Sequence, residues 1–401
     1  MARRECAARR IFACYPSDMF ATIRAGVPAT NKAVYHRIGF TAHDPAVVIE
    51  LPRGDRLLTL LIVRDVELER AKRLARADRV YAPRDFAPPD GLSGDREIAT
   101  AQAAVECLRR HGVFKLNGDR SLPLLYVELA REAGIDIALD VDLGVRERRQ
   151  KDDAEIEMLR GAQRDTEAVV AEACAIVARA VADERGVLHA PGDSRPLTAD
   201  RLRRIIDAAI VARGYAAADT IVAGGPVGSD CHHPGEGELR TGEPVMIDVF
   251  PQNKSTLYHG DCTRTVVHGQ VPETVARMHA IVGEAKRAAA AVARVGVTGD
   301  AVHAAVVAVY RAHGVHVGFA PDGAPADLLF CPHGTGHGLG LDLKEPPLLD
   351  AKGPALLPGD VVTIEPAVYC RSVGGVRVED LYVVREGGCE NLNTLAEGLQ
   401  W

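Results

Sequence analysis

The chain has 401 residues, 47% hydrophobic and 26% charged, the balance of a globular protein rather than a disordered one. Its 48 basic and 55 acidic residues leave a net charge of −7, which argues against a general nucleic-acid binder, and aromatics at 4% are too few for stacking single-stranded bases. The cysteines (Cys6, Cys14, Cys107, Cys174, Cys231, Cys262, Cys331, Cys370 and Cys389) are odd in number, scattered and without a CxxC pair, so reduced thiols in a cytoplasmic protein are expected rather than disulfides or a thiolate zinc site.

Length predicts two or three domains at about 100–200 residues each. The N-terminal stretch MARRECAARRIFACYPSDMF has basic residues but no sustained apolar core, unlike a signal peptide. The apolar run 57–63 falls far short of the ~20 residues a spanning helix needs, so a soluble protein without membrane contact is expected. Residues 1–150 read as a mixed α/β domain. Strands are predicted at 46–51 and 56–63, joined by the Pro52-Arg53-Gly54-Asp55 turn as a hairpin. Helical spacing marks 65–77 and 99–112, and three prolines make 83–94 a loop.

The charged run at 149–153 suits a boundary, and 151–401 reads as a second domain. A helix is predicted over 152–183, and another over 199–213 that stops at Gly214. A buried strand at 243–250 carries Asp248; the chain turns at 251–255 and returns from Asp261 to Val267. The pattern then repeats. Helices at 272–294 and 299–313, the latter ending at Gly314, precede a strand 360–365 ending in Glu365. A reversal at Gly374-Gly375 leads to a return strand through Arg377, Glu379 and Val384. The paired carboxylates lie 13 residues apart in the first half and 14 in the second. The fold class is therefore α+β, with two halves facing each other across one site.

A carboxylate inside a strand is costly unless it is paired or bound to a cation. Each one alone could be a solvated strand end; four in two matched hairpins point to one site. Strand parity puts Arg377 and Glu379 on one face, and Asp261 and Thr263 on one face. A guanidinium beside a buried carboxylate favours its ionised form. The segment HGTGHGLG at 333–340 adds His333 and His337 among glycines that allow close backbone approach. Asp248, Asp261, His337, Glu365 and Glu379 make a set whose charge matches two divalent ions. Its oxygen-rich character favours Mn²⁺, with Co²⁺, Fe²⁺ and Zn²⁺ as alternatives. Two such ions acidify a shared water into a nucleophile.

Asp248, the Asp261-Cys262-Thr263-Arg264-Thr265 stretch, HGTGHGLG, Glu365-Pro366 and Val376-Arg377-Val378-Glu379-Asp380 together resemble the signature of the pita-bread metallopeptidases. Residues 1–150 resemble the N-terminal domain of their aminopeptidase P, prolidase and creatinase branch. The resemblance implies a pita-bread catalytic domain behind a creatinase-like domain, and hydrolysis of Xaa-Pro bonds in proline-containing peptides by a metal-bridging hydroxide. It implies that the five residues above bind metal, that Asp261 and Glu379 bridge the ions, and that Glu365 is also the general base. It places His232 on the substrate, with His233 as a near alternative. It adds His333 and Tyr369 on the substrate side and Arg377 near the second bridging carboxylate. It also implies a homodimer. One departure stands out: Lys344 occupies the position, seven residues after His337, where the family usually carries a histidine that holds the substrate carbonyl. Its ammonium is able to stabilise an oxyanion, but it is longer, charged and flexible. Two other functions compete: cleavage of a non-peptide C–N bond, as in creatinase, and non-catalytic peptide binding. Retention of all five ligand types argues against the last.

Overall fold

The computed structural model describes residues 20–217 and 219–401. The N-terminal stretch read above, with Cys6 and Cys14, lies outside the described residues. The chain divides into two compact units, the second being Arg149–Trp401.

In the first unit, the runs read as a hairpin do pair: Ala46–Arg53 lies antiparallel to Arg56–Ile62. The turn is tighter than expected because Pro52 and Arg53 stay in the ladder. Leu57 faces Pro52 across it, leaving Gly54 and Asp55 to reverse the chain, Gly54 at φ +66°. Six strands form the sheet, in the order 79–81, 56–62, 46–53, 22–26, 115–118, 136–139. The 46–49 run is apolar without alternation because both faces are covered. Val47, Ile49 and Leu60 pack under the Arg96–Arg110 helix with Ala101, Ala104 and Leu108. Val48 and Leu61 face Val34, Ile38 and Ala71 on the other side.

The second unit contains two cores. Helix Asp153–Ala178 and helix Ala199–Ala212 cover the sheet of Ile221–Gly224, Pro244–Val249 and Cys262–Val267. Helices Glu273–Val292 and Gly299–Ala312 cover strands that include Val361–Ile364, Ala367–Cys370 and Gly374–Arg377. The halves repeat in detail. Thr198 and Thr298 each cap the second helix of their half by accepting an amide three residues on. Gly214 and Gly314, at equal distances beyond those caps, adopt positive φ.

Helix 152–183 is shorter than its periodicity suggests. Asp152 and Glu155 form a capping box at its start, but it ends at Ala178. Asp183 Oδ1 then accepts the amides of Arg185 and Val187, and a two-residue hairpin pairs Val181–Ala182 with Leu188–His189. The second carboxylate hairpin is also more broken than expected. Val361–Ile364 pairs with Asp380–Arg385, whereas Ala367–Cys370 pairs with Gly374–Arg377 in a different sheet. Residues 371–373 make the reversal, and Gly374-Gly375 belongs to the returning strand. Glu365 and Glu379 both fall where the hairpin leaves one sheet for the other. Among the described residues no helix is long and apolar enough to cross a membrane, and the described cysteines are free thiols.

Candidate metal centre

The hairpins of the two halves are laced together at the site. Glu379 N–H donates to Thr263 O at 3.1 Å. Thr265 Oγ1 accepts the Arg377 amide and donates to its carbonyl, each at 3.1 Å. Register therefore fixes which side chains meet. Asp248 stands opposite Thr263 across its own sheet, and Thr263 Oγ1 donates to Glu379 Oε2 at 2.6 Å. Gln163, on the 153–178 helix, clamps the backbone of Asp261: its Oε1 accepts the Asp261 amide at 2.9 Å and its Nε2 donates to the carbonyl at 2.7 Å. Gly336 runs so close to Thr363 that a Cβ there would sit 2.0 Å from its carbonyl oxygen. That close approach lets the His337 amide reach Thr363 Oγ1 at 3.1 Å.

The five sequence-predicted donors line one cavity of about 260 Å³ together with His232, His333, Lys344 and Arg377. Asp261, His337 and Glu379 each offer a ligand atom within 4.8 Å of the others. His337 Nε2 lies 3.5 Å from Glu365 Oε1 and 3.8 Å from Asp261 Oδ2. Its Nδ1 faces the Gly338 carbonyl at 3.0 Å. With a cation in place, that contact would keep the ring proton on Nδ1 and free the Nε2 lone pair for the ion.

Charge in this cavity is out of balance. Burial pushes Asp261 well above the usual carboxylate range, and repulsion from Glu379, Asp248 and Glu365 adds to it. Burial does the same to Glu379, with Glu365 and Asp248 adding and Arg377 only partly opposing. Asp248 is also raised by burial despite its contact with Arg377. Glu365 differs. Burial pushes it up, but the positive charge of His337, His333, Arg377 and Lys344 outweighs that and holds it below the usual range. The donor set fits divalent cations on two further counts. Asp248 Oδ1 is buried without a hydrogen-bond partner. The donors are oxygens and one imidazole, the chemistry of manganese-class ions.

Arg377 lies on the same cavity as Glu379, as parity places it, but its direct carboxylate partner is Asp248: its Nη2 pairs with that group and its Nε donates to Thr263 Oγ1 at 3.1 Å. Its Nη1 donates to Tyr369 Oη at 3.0 Å. The guanidinium thus reaches Glu379 through Thr263, and it does not by itself keep the carboxylates ionised. Tyr369 Oη is also 2.9 Å from His333 Nε2. His232 is exposed at the cavity wall, where burial and the charges of Lys344 and Arg377 lower its pKa. His233 does not line the cavity: in this turn its Nδ1 accepts the Gly235 amide at 3.0 Å. Lys344 is exposed on the cavity wall and makes no ion pair with the cluster carboxylates among the described residues. Sequence reasoning missed Gln163 and Thr363. Both act through backbone contacts from distant segments, and neither belongs to a motif.

Residues 157–386, more than half of the chain, match Metallopeptidase family M24, and the chain belongs to that family. It is 33% identical over 277 residues to the probable dipeptidase PepE of Mycobacterium tuberculosis, covering 68% of this chain and 66% of that one. It is 30% identical over 176 residues to the Xaa-Pro dipeptidase of Pyrococcus furiosus, covering 43% and 47%. The matches thus span about two thirds and about half of those relatives. Among solved structures, the Xaa-Pro dipeptidase from Bacillus anthracis superposes with a TM-score of 0.76 at 21% identity over 98% of both chains. The prolidase from Pyrococcus horikoshii OT3 gives 0.73 at 22% identity over 95% of both. The fold is the pita-bread fold.

Proposed function

We propose that this chain is a metal-dependent hydrolase of the Xaa-Pro bond at a peptide N-terminus, as an aminopeptidase P or a prolidase is. Asp248, Asp261, His337, Glu365 and Glu379 would hold two divalent ions, manganese first among them. The observation that carries the reading is the buried carboxylate cluster whose charge its own chain does not neutralise, in a chain of a metallopeptidase family. When bound, such an ion pair acidifies a water and so supplies a hydroxide nucleophile at neutral pH.

The remaining roles belong to the chain's own groups. Glu365, favoured as the carboxylate, takes the proton of the attacking water and returns it to the leaving nitrogen. Lys344 donates to the substrate carbonyl oxygen as negative charge develops there. His333, steadied by Tyr369, and His232 contact the substrate from the cavity walls. Arg377 is a positioning residue that orients Asp248 and, through Thr263, Glu379. The assembly is read as a homodimer, which sedimentation velocity checks.

The test is manganese-dependent release of the first residue from Xaa-Pro dipeptides and longer Xaa-Pro peptides. Activity is expected to vanish on chelation and in Glu365→Ala. A metal-loaded protein inert to both substrate lengths overturns the reading. Lys344 supports one second reading, cleavage of a non-peptide C–N bond; turnover of amidino compounds with no peptide cleavage would select it.

A further inference from the structure

The positive groups on the catalytic cavity wall differ in what they are free to do. Arg377 spends its guanidinium on Asp248, Thr263, Tyr369 and the Cys231 carbonyl. His333 has both ring nitrogens engaged, Nδ1 by the Gly334 carbonyl at 2.8 Å and Nε2 by Tyr369 Oη at 2.9 Å. His232, its pKa lowered first by burial and then by the Lys344 charge, is uncharged at neutral pH. Lys344 alone combines a full charge with uncommitted donors: among the described residues its ammonium makes no hydrogen bond and no ion pair.

The neighbouring acids do not neutralise it. Glu345, next in the chain, is buried and takes Lys151 Nζ at 2.5 Å. Asp350, the acid on the cavity wall outside the metal cluster, accepts the Ala351 amide at 2.7 Å and faces His303 Nε2 at 3.6 Å. The segment bearing Lys344 is pinned on both sides. The His259 amide donates to the Gly340 carbonyl at 3.0 Å, Gln252 Nε2 donates to the Leu341 carbonyl at 3.3 Å, and Glu345 pairs with Gly338 in the sheet. Three donors on a positive charge are thus presented to whatever occupies the cavity. The chemistry of an Xaa-Pro substrate says which acceptor they meet. In a trans peptide unit the carbonyl oxygen lies on the same side as the following Cα. With proline's fixed φ, the carbonyl carbon on that Cα sits about 3 Å from the oxygen. In a dipeptide that carbon is the free carboxylate; in a longer peptide it is a neutral amide.

We propose that Lys344 is a specificity-determining residue that selects dipeptides, its ammonium bridging the scissile carbonyl oxygen and the C-terminal carboxylate of the proline. A neutral imidazole at this position donates to the carbonyl but gains nothing from the second charge, so the lysine adds the discrimination. Leu343 and Leu348 line the same cavity and lower the polarity around the pair. The proposal rests on the Xaa-Pro reading above and names its substrate class.

The experiment compares alanyl-proline, alanyl-prolinamide and glutamyl-prolinamide on the manganese-loaded protein. The second compound removes the terminal charge, and the third carries its only carboxylate in a side chain. The kcat/KM for alanyl-proline is expected to exceed that for alanyl-prolinamide by about fivefold or more, as a charge-assisted hydrogen bond at a partly exposed site gives. Lys344→Met should lower turnover of all three and bring that ratio toward one, whereas Lys344→Arg, which keeps charge and donors, should retain it. A ratio near one in the parent protein overturns the proposal. So does a ratio that survives Lys344→Met, which would assign the carboxylate to another group, or an equal gain from glutamyl-prolinamide. Calorimetric binding separates this proposal from the functional one. If no compound is cleaved, but alanyl-proline binds more tightly than alanyl-prolinamide by the same factor and Lys344→Met removes the gap, the functional reading fails and the carboxylate site stands. Equal affinities with no cleavage overturn both.

Discussion

Both units bury acidic side chains, but the cluster in the second unit lacks the counter-charge that Glu50 has in the first. In the first unit, Glu50 is 4% exposed and meets Arg24, Arg37 at 2.7 Å and the Thr22 hydroxyl at 3.0 Å. Burial pushes Glu50 up, but the two guanidinia outweigh it and hold the group below its ordinary range. In the second unit, Asp261 and Glu379 are as deeply buried, yet both are driven well above that range. Burial is therefore not what distinguishes them; the local charge sum is. Asp380 makes the point within one unit. It follows Glu379 directly, but Arg264 at 2.7 Å and Lys286 neutralise it, and its pKa falls despite burial. At Glu50 and Asp380 this chain supplies the counter-charge itself. Where it leaves a deficit, cations from solution are needed.

The largest test of that contrast removes one member of the deficit. Asp261→Asn should abolish hydrolysis and with it the stabilisation by manganese. In the parent protein that gain should be about 2.7 kcal/mol with free metal at about 100 times Kd. The metal-free variant should be at least as stable as the metal-free parent, because a repulsive charge has gone. Calorimetric melting with and without manganese reads both effects; a metal-free variant that melts earlier than the metal-free parent would break the comparison. Glu50→Ala should do the reverse. It removes the buried partner of Arg24 and Arg37, leaving Arg24 only the half-exposed Glu147, and should cost about 3–5 kcal/mol in urea unfolding, while manganese affinity stays as in the parent.

Acidification sharpens the same contrast more gently. Because the folded Glu50 pKa lies below its unfolded value, its contribution is fully present above about pH 4.3, the ordinary glutamate value, and is lost as pH falls through the lower folded value. The difference in unfolding free energy between the parent and Glu50→Gln should therefore shrink in that acid window and be flat above it. A difference that grows on acidification would reverse the sign argued here.

The sequence carries this site well because its chemistry is local. Asp248 and Glu365 interrupt apolar strands, and His337 sits among glycines, so each is conspicuous within a few residues. The matched helix pairs before each hairpin are legible for the same reason, since Gly214 and Gly314 mark their ends. What stays hidden depends on pairing between distant segments. Helix periodicity runs past Ala178 because it does not register the Asp183 turn that draws the chain into a hairpin. Parity puts Arg377 and Glu379 on one face, but only the laced hairpins reveal that the guanidinium reaches across to Asp248. Gln163 is one polar residue on a long helix until the fold brings Asp261 against it.

The smallest predicted effect isolates hydrogen bonding from charge. Tyr369 is buried, and its hydroxyl joins His333 to Arg377. Tyr369→Phe keeps the ring contacts with His333 and Phe330 and removes only that link. A hydrogen bond of this kind contributes about 0.5–1.5 kcal/mol, so kcat/KM should fall by about 2- to 10-fold. Manganese affinity should change less, because Arg377 keeps its contacts with Asp248 and Thr263. If Tyr369→Phe weakens manganese binding as severely as Asp261→Asn, the centre is held by its hydrogen-bond network rather than by its charge deficit. The contrast with Glu50 would then fail, since both clusters would owe their stability to the same kind of internal pairing.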